Sequence, residues 1–241
     1  ARLLGFEHFQ FVGWRHRHGH LQRVVGTALD HAAHGRNVTK IAAGGQRGTG
    51  RIGADRAGHL QSVPVLPGNH PHRISPSLIL EAEQLAAKLW GADLCRFGVN
   101  GSSGSNHAAV MAVASPGDKV IVSRTLHKSV LVGLVYAGVE PIWVRPEINS
   151  ATGLPEYLPS KRLRETLDLH PDAVAVLVGE PSYVGTMSNI PRLATVCHER
   201  GIPLVVDAAW AAHFGFHPEL PQHPIAEGAD IVVTSIELIT F

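Results

Sequence analysis

Four stretches of this 241-residue chain carry residue types that could do chemistry together. "VNGSSGSNHA", Val99 to Ala108, concentrates Gly and Ser. Small residues let backbone N–H groups approach a ligand, Ser102, Ser103 and Ser105 add hydroxyls, and a following helix N-terminus favours an anion such as phosphate. The same residues also fit an ordinary serine cap on a glycine-rich turn. No Gly-Lys-Ser/Thr follows, so this is not a Walker loop. "SRTLHKSV" holds His127, which could stack on a flat ring, move protons near neutrality, or sit in solvent. "PLVVDAAWAAHF" runs an apolar segment into Asp207, with Ala208 and Ala209 leaving room for something flat. A carboxylate there could pair with a protonated ring nitrogen, orient a base, or cap the next turn. No second acidic ligand accompanies it, so no metal site is expected. "DIVVTS" ends in Ser235, and "GEPSYVG" adds Ser182 and Tyr183.

What positions these residues is a repeating β/α pattern. "LILEAEQLAAKLWGA" sets Leu78, Ile79, Ala82, Leu85, Ala86 and Leu89 on a helical stripe that Gly91 ends. Strands are expected at "LCRFGV", "KVIVSR", "EPIWVR", "AVAVLVG", "PLVVDAA" and "DIVVTS". Helices are expected between them at "GSNHAAVMAVA", "SVLVGLVYAG", "PSKRLRETLDL" and "IPRLATVCHERG". Apolar strands alternating with helices predict a three-layer α/β/α sandwich around a mainly parallel sheet. Ligands of such sheets bind beyond the carboxyl ends of the strands, and all four stretches fall there.

The bulk numbers narrow the function classes. Hydrophobic content of 44% supports a sizeable core, and no apolar run approaches the ~18 residues of a membrane span. The N-terminus lacks the order of a secretory leader, and two cysteines, Cys95 and Cys197, build no disulfide framework. Both sit in core-like runs, and a soluble cytoplasmic protein is expected. The net charge of +1 hides an asymmetry: residues 1–73 hold ten of the 21 Lys/Arg, three of the 20 Asp/Glu and nine of the 16 His. That basic segment shows no sustained period and reads as a poorly ordered extension. His16, His18 and His20 would share one face of a strand, but no Cys or carboxylate completes a metal shell. A nucleic-acid arm lacks aromatic interleaving. The Arg/Gly/His/Ala bias also fits a disturbed reading frame. Two regions are therefore expected, 1–73 and 74–241.

In their order, the phosphate-type loop, histidine, strand-end Asp and strand-end Ser resemble the pyridoxal-phosphate enzymes of the aspartate-aminotransferase-like fold. More narrowly, residues 78–236 resemble the large domain of the Orn/Lys/Arg decarboxylases. "EAEQLAAKLWGA", "FGVNGSSGSNHA", "SRTLHKSV", "EPSYVG", "VVDAAWAAHF" and "GADIVVTS" carry that resemblance over about two thirds of the chain. It implies that Ser102, Ser103 and Gly104 bind the phosphate of pyridoxal 5′-phosphate, with Ser235 as a second phosphate ligand. It implies that His127 stacks on the pyridine ring, that Asp207 keeps the ring nitrogen protonated, and that Ala209 packs on the ring beside Trp210. The reaction implied is decarboxylation of a basic amino acid, and the assembly at least a homodimer. Another reaction on the same fold, such as aminotransfer, and a non-catalytic remnant binding a phosphate ligand or a partner subunit are the alternatives.

The resemblance also shows departures. The family follows its strand-end serine with a variable residue, a histidine and the Schiff-base lysine. Here those positions hold Ile236, Glu237 and Leu238. Lys40, Lys88, Lys119, Lys128 and Lys161 are the lysines of the chain, and Lys128 is expected to point away from the cofactor. Ala208 stands where the family usually has Glu, Ala211 where it often has Gly, and "HRISPS" replaces a Gly-containing turn. A large domain truncated at its C-terminus and inactive as written is the expectation.

Overall fold

The computed structural model describes residues 10–14, 76–98 and 100–235. Seven strands form one sheet in them: β1 (Gln10–Trp14), β2 (Leu94–Gly98), β3 (Lys119–Ser123), β4 (Glu140–Val144), β5 (Ala173–Gly179), β6 (Leu204–Asp207) and β7 (Ile231–Ser235). Five helices accompany them: α1 (Pro76–Trp90), α2 (Gly101–Val113), α3 (Lys128–Ala137), α4 (Ser160–Leu169) and α5 (Ile190–His198). The spatial order is β2-β1-β7-β6-β5-β3-β4. Strands β3 to β7 pair in parallel, whereas β1 runs antiparallel to both neighbours, β2 and β7. The six other strands therefore end on one edge. Along the sheet the sequence order reverses between β5 and β3, the kind of switch point where such sheets bind ligands.

Strand side chains alternate between faces, and here the alternation builds two cores. Ile121, Val176, Val178, Val206 and Val232 face one side, where they meet Leu163 and Leu167 of α4 and Ile190, Leu193 and Cys197 of α5. Val120, Val122, Ala175, Leu177, Val205, Ile231 and Val233 face the other, against Ala108, Ala109 and Ala112 of α2 and Val130, Leu134 and Ala137 of α3. The three-layer α/β/α arrangement expected from the alternating pattern is thus present. The second face packs closely because its residues are small. A Cβ on Gly133 of α3 would stand 3.2 Å from His107 Cα and 3.2 Å from Val110 Cγ2 of α2, so glycine sets how near the two helices come.

A third cluster joins α1 to β2 through Ala86, Ala87, Cys95 and Phe97. Glu83 secures it, with Oε1 accepting the Phe97 backbone N–H at 3.0 Å and Oε2 the Arg96 guanidinium at 3.1 Å. The Trp90 indole N–H reaches the Ala212 carbonyl at 3.1 Å. Cys95 and Cys197 are buried, and burial pushes both thiols up, so neither is a reactive thiolate.

In two places the structure differs from the sequence reading. The segment 1–73 was expected to lack regular structure, yet Gln10–Trp14 form β1 inside the sheet. "QFVGW" is a five-residue run with glycine in fourth place, too short to declare a period on its own. The other residues of that segment, His16, His18 and His20 included, lie outside the described residues. Helix α2 begins at Gly101, so Ser102, Ser103 and Gly104 occupy its first turn rather than a preceding loop. No helix among the described residues is long and apolar enough to cross a membrane.

Candidate active site

The parallel strands deliver their last residues to one edge, and period-two alternation decides which face each serves. Val205 belongs to the α2/α3 face, so Asp207 does too; Val233 likewise carries Ser235 to that face. Asp207 is buried, and its Oδ2 accepts from Asn106 Nδ2 of α2 at 2.8 Å. The same Asn106 nitrogen donates to Ser129 Oγ of α3 at 3.0 Å. Ser129 Oγ lies 2.8 Å from His127 Nδ1, and the Ser129 backbone N–H donates to that nitrogen at 3.2 Å. His127 is the N-cap of α3, its ring doing what a Ser or Asp side chain does elsewhere. Asp207 and His127, far apart in sequence, are therefore joined through two residues that the sequence reading did not single out.

Burial drives the Asp207 carboxyl upward from its ordinary value. The Asn106 hydrogen bond and the Ala209 backbone N–H oppose that rise. Oδ1 has only the long 3.4 Å contact with the Ala209 N–H, which leaves it the oxygen with spare acceptor capacity. A carboxylate held this way fits a cationic N–H donor on a ring. Ala208 and Ala209 are small, and the Ala208 N–H bonds the Val233 carbonyl at 2.7 Å, fixing the turn after Asp207. At the rim, Tyr183 and Trp210 meet edge to face with centroids 5.8 Å apart, and Tyr183 Oη donates to the Leu126 carbonyl at 3.3 Å. Burial first, then the Asp207 charge, raises the Tyr183 hydroxyl, which places that ring near the carboxylate.

Ser102, Ser103 and Gly104 lie on the turn of α2 before Asn106. The Gly104 N–H makes the first intrahelical bond, to the Asn100 carbonyl at 3.2 Å, which leaves the N–H groups before it without an intrahelical acceptor, and Asn100 supplies no side-chain cap. A Cβ on Gly104 would stand 2.8 Å from Asn100 Cβ, so the turn needs glycine there. Ser235 is buried at the end of β7, two residues beyond Val233, which registers with Asp207. It is outside the Asn106 chain. Gln10 of β1 registers opposite both Gly98 and Ser235, so one residue of β1 spans the two proposed phosphate segments.

Four lysines lie among the described residues. Lys119 begins β3 at the opposite edge and pairs with Asp172 at 2.9 Å, Lys161 is on α4 beside Glu165, and Lys88 is on α1. Lys128 is exposed in the first turn of α3. Lys40 and residues 236–241, with Leu238, lie outside the described residues.

Residues 73–237 match the family model described as Orn/Lys/Arg decarboxylase, major domain. The chain belongs to that family. Among curated relatives it is 39% identical over 168 residues to an arginine decarboxylase of Halalkalibacterium halodurans, covering 70% of this chain and 33% of that protein. With an arginine decarboxylase of Bacillus subtilis it shares 38% over 159 residues, 66% of this chain and 32% of the relative. This decarboxylase-family chain thus spans about a third of the length of the relatives it matches. Among solved structures, an alanine–glyoxylate aminotransferase from Nostoc sp. superposes with a TM-score of 0.53 at 17% identity. That match covers 66% of this chain and 41% of the other, and it shows a shared fold.

Proposed function

We propose that this chain carries the cofactor-binding part of a basic-amino-acid decarboxylase, and that it holds pyridoxal 5′-phosphate without bonding it. The observation that carries the reading is the buried Asp207 at the end of β6, one oxygen held by Asn106 and the other spare. That donor set fits the ring nitrogen of the cofactor, and the first turn of α2 with its small residues fits the phosphate. In this family the bound cofactor supplies an electron sink for the charge left when a carboxyl group departs.

The residues of this chain prepare the site for that sink. An ionised Asp207 holds a proton on the ring nitrogen, and Asn106 and the Ala209 N–H favour that ionised form against the effect of burial. His127, fixed as the cap of α3, gives one wall of the ring site, and Ala209 gives the other without filling it. Ser102, Ser103 and Ser235 hold the phosphate, which sets the tilt of the ring, and Gly104 keeps the turn free of a side chain. Tyr183 and Trp210 restrict water at the rim.

The position that the family gives to its bonding lysine is Leu238, and Glu237 stands where it has histidine. With no lysine at that position the cofactor is exchangeable and turnover is absent. The complete protein is at least a dimer in this reading, and the exposed Val135 and Tyr136 of α3 suit a contact between subunits. Cofactor titration of this chain tests the proposal: saturable binding removed by gel filtration, with no CO2 released from arginine, lysine or ornithine, is expected. Leu238→Lys with Glu237→His should make binding resist gel filtration. Binding that is unsaturable in both forms would sink the assignment.

A further inference from the structure

The hydrogen bonds linking Asp207 to His127 have a direction, and the direction can be worked out atom by atom. A carboxylate has no hydrogen to give, so the amide of Asn106 must turn its NH2 toward Asp207 Oδ2, 2.8 Å away. That NH2 has two hydrogens, and the second points to Ser129 Oγ at 3.0 Å. Ser129 Oγ is then an acceptor on that side, and its own hydrogen is left for His127 Nδ1 at 2.8 Å. The backbone N–H of Ser129 also points at Nδ1, from 3.2 Å. A nitrogen facing two donors is the lone-pair nitrogen, so the ring proton belongs on Nε2. Asn106, Ser129 and Asp207 are all buried, which keeps water from substituting for the links among them, while the His127 ring at the end of the chain is exposed.

We propose that Asn106 and Ser129 are positioning residues, a one-way chain of donors through which the charged state of Asp207 fixes His127 as its Nε2–H tautomer. The chain locks the plane of the ring against the cap of α3 and leaves Nε2–H outward. Its value for cofactor binding rests on the reading of His127 and Asp207 given above; the tautomer does not.

Long-range proton–nitrogen NMR spectra of the 241-residue chain, with His127 assigned through His127→Gln, read the tautomer directly. The account expects Nε2–H alone, and a tautomer mixture like that of an exposed histidine would overturn it. Asn106→Asp should reverse the chain. Two carboxyl groups in contact share a proton, which leaves position 106 only an acceptor for Ser129. The hydroxyl then turns to it, Oγ accepts from the ring, and the Nδ1–H population rises against the Ser129 backbone N–H that still faces Nδ1. An unchanged tautomer in folded Asn106→Asp contradicts the proposal. Adding Ser129→Ala should cancel the reversal, and a reversal that persists contradicts it as well. Should Asn106→Asp not fold, Ser129→Ala alone removes the hydroxyl donor and keeps the backbone N–H on Nδ1, so the Nδ1–H population should rise without displacing Nε2–H, and a population identical to the parent's is the contrary result. Titration of the same samples with pyridoxal 5′-phosphate is a separate reading: no binding with the tautomer intact refutes the site assignment and leaves the chain of donors standing.

Discussion

Two buried carboxyl groups sit at neighbouring strand ends on opposite faces of the sheet, and they are held differently. Glu180 follows β5 and serves the face covered by α4 and α5, where Oε2 accepts the Ser188 backbone N–H at 2.8 Å. Asp207 ends β6 on the face covered by α2 and α3, where a side-chain amide meets it. The Glu180 N–H and the Asp207 carbonyl are themselves bonded at 2.9 Å. Glu180 is enclosed by the face built of Leu, Ile and Val, and burial raises it to about 7. Asp207 is enclosed by the face built largely of Ala and Val, with Asn106 and Ser129 inside it. The first face spends its interior on packing. The second gives up bulk and admits polar groups, which is what a site needs.

Breaking the packing face should cost most. Leu163→Ala and Leu193→Ala each remove a fully buried side chain, and about 2–5 kcal/mol of stability should go in urea unfolding. Cofactor affinity of the remaining folded protein should not change. The next test separates the two carboxyl groups by pH. Glu180 is raised from 4.5 to about 7, so its contribution is full below pH 4.5 and is lost as pH rises through about 7. That difference corresponds to about 3 kcal/mol. Glu180→Gln keeps an acceptor for Ser188 and should flatten stability over that window; unchanged pH dependence would remove Glu180 as its source.

His223 gives the opposite sign. Both ring nitrogens are buried without a hydrogen-bond partner, the ring lies 5.8 Å from Trp90, and burial lowers it from 6.5 to about 4. Its contribution is present above pH 6.5 and is lost as pH falls through about 4. His223→Phe should abolish that acid loss, about 3 kcal/mol, in melts across the acid range. Smaller again is Asn106→Leu, which leaves Asp207 without its amide donor at a cost of about 1–3 kcal/mol. Burial already raises Asp207, so this penalty should grow as pH rises and its carboxyl ionises. A penalty independent of pH would show that the amide acts by packing alone.

What was legible beforehand follows from how each feature is encoded. The strands from Lys119 onward and the helices between them announce themselves through period and apolar runs, so the three layers were readable. Asp207, His127 and Ser235 stand at strand ends, where position alone marks them. Asn106 and Ser129 lie inside helical patterns, where an amide or hydroxyl has no loop to signal it. Their signal was a polar residue on a buried stripe: Asn106 shares a face with Ala109 and Val110, and Ser129 with Gly133 and Ala137. Strand β1 escaped because its pairing partners are 80 and more residues away, and only tertiary register shows a five-residue run to be central.

The central claim is that the α2/α3 face holds pyridoxal 5′-phosphate by its ring nitrogen and phosphate and by no covalent bond. Equilibrium dialysis of the 241-residue chain against the cofactor, with borohydride reduction and mass spectrometry of the retained fraction, tests it directly. One equivalent bound, at least tenfold weaker binding in Asp207→Ala, and no reduced adduct on any lysine is the result this account predicts. A stoichiometric adduct on Lys128 or another lysine, or binding indifferent to Asp207, would contradict it.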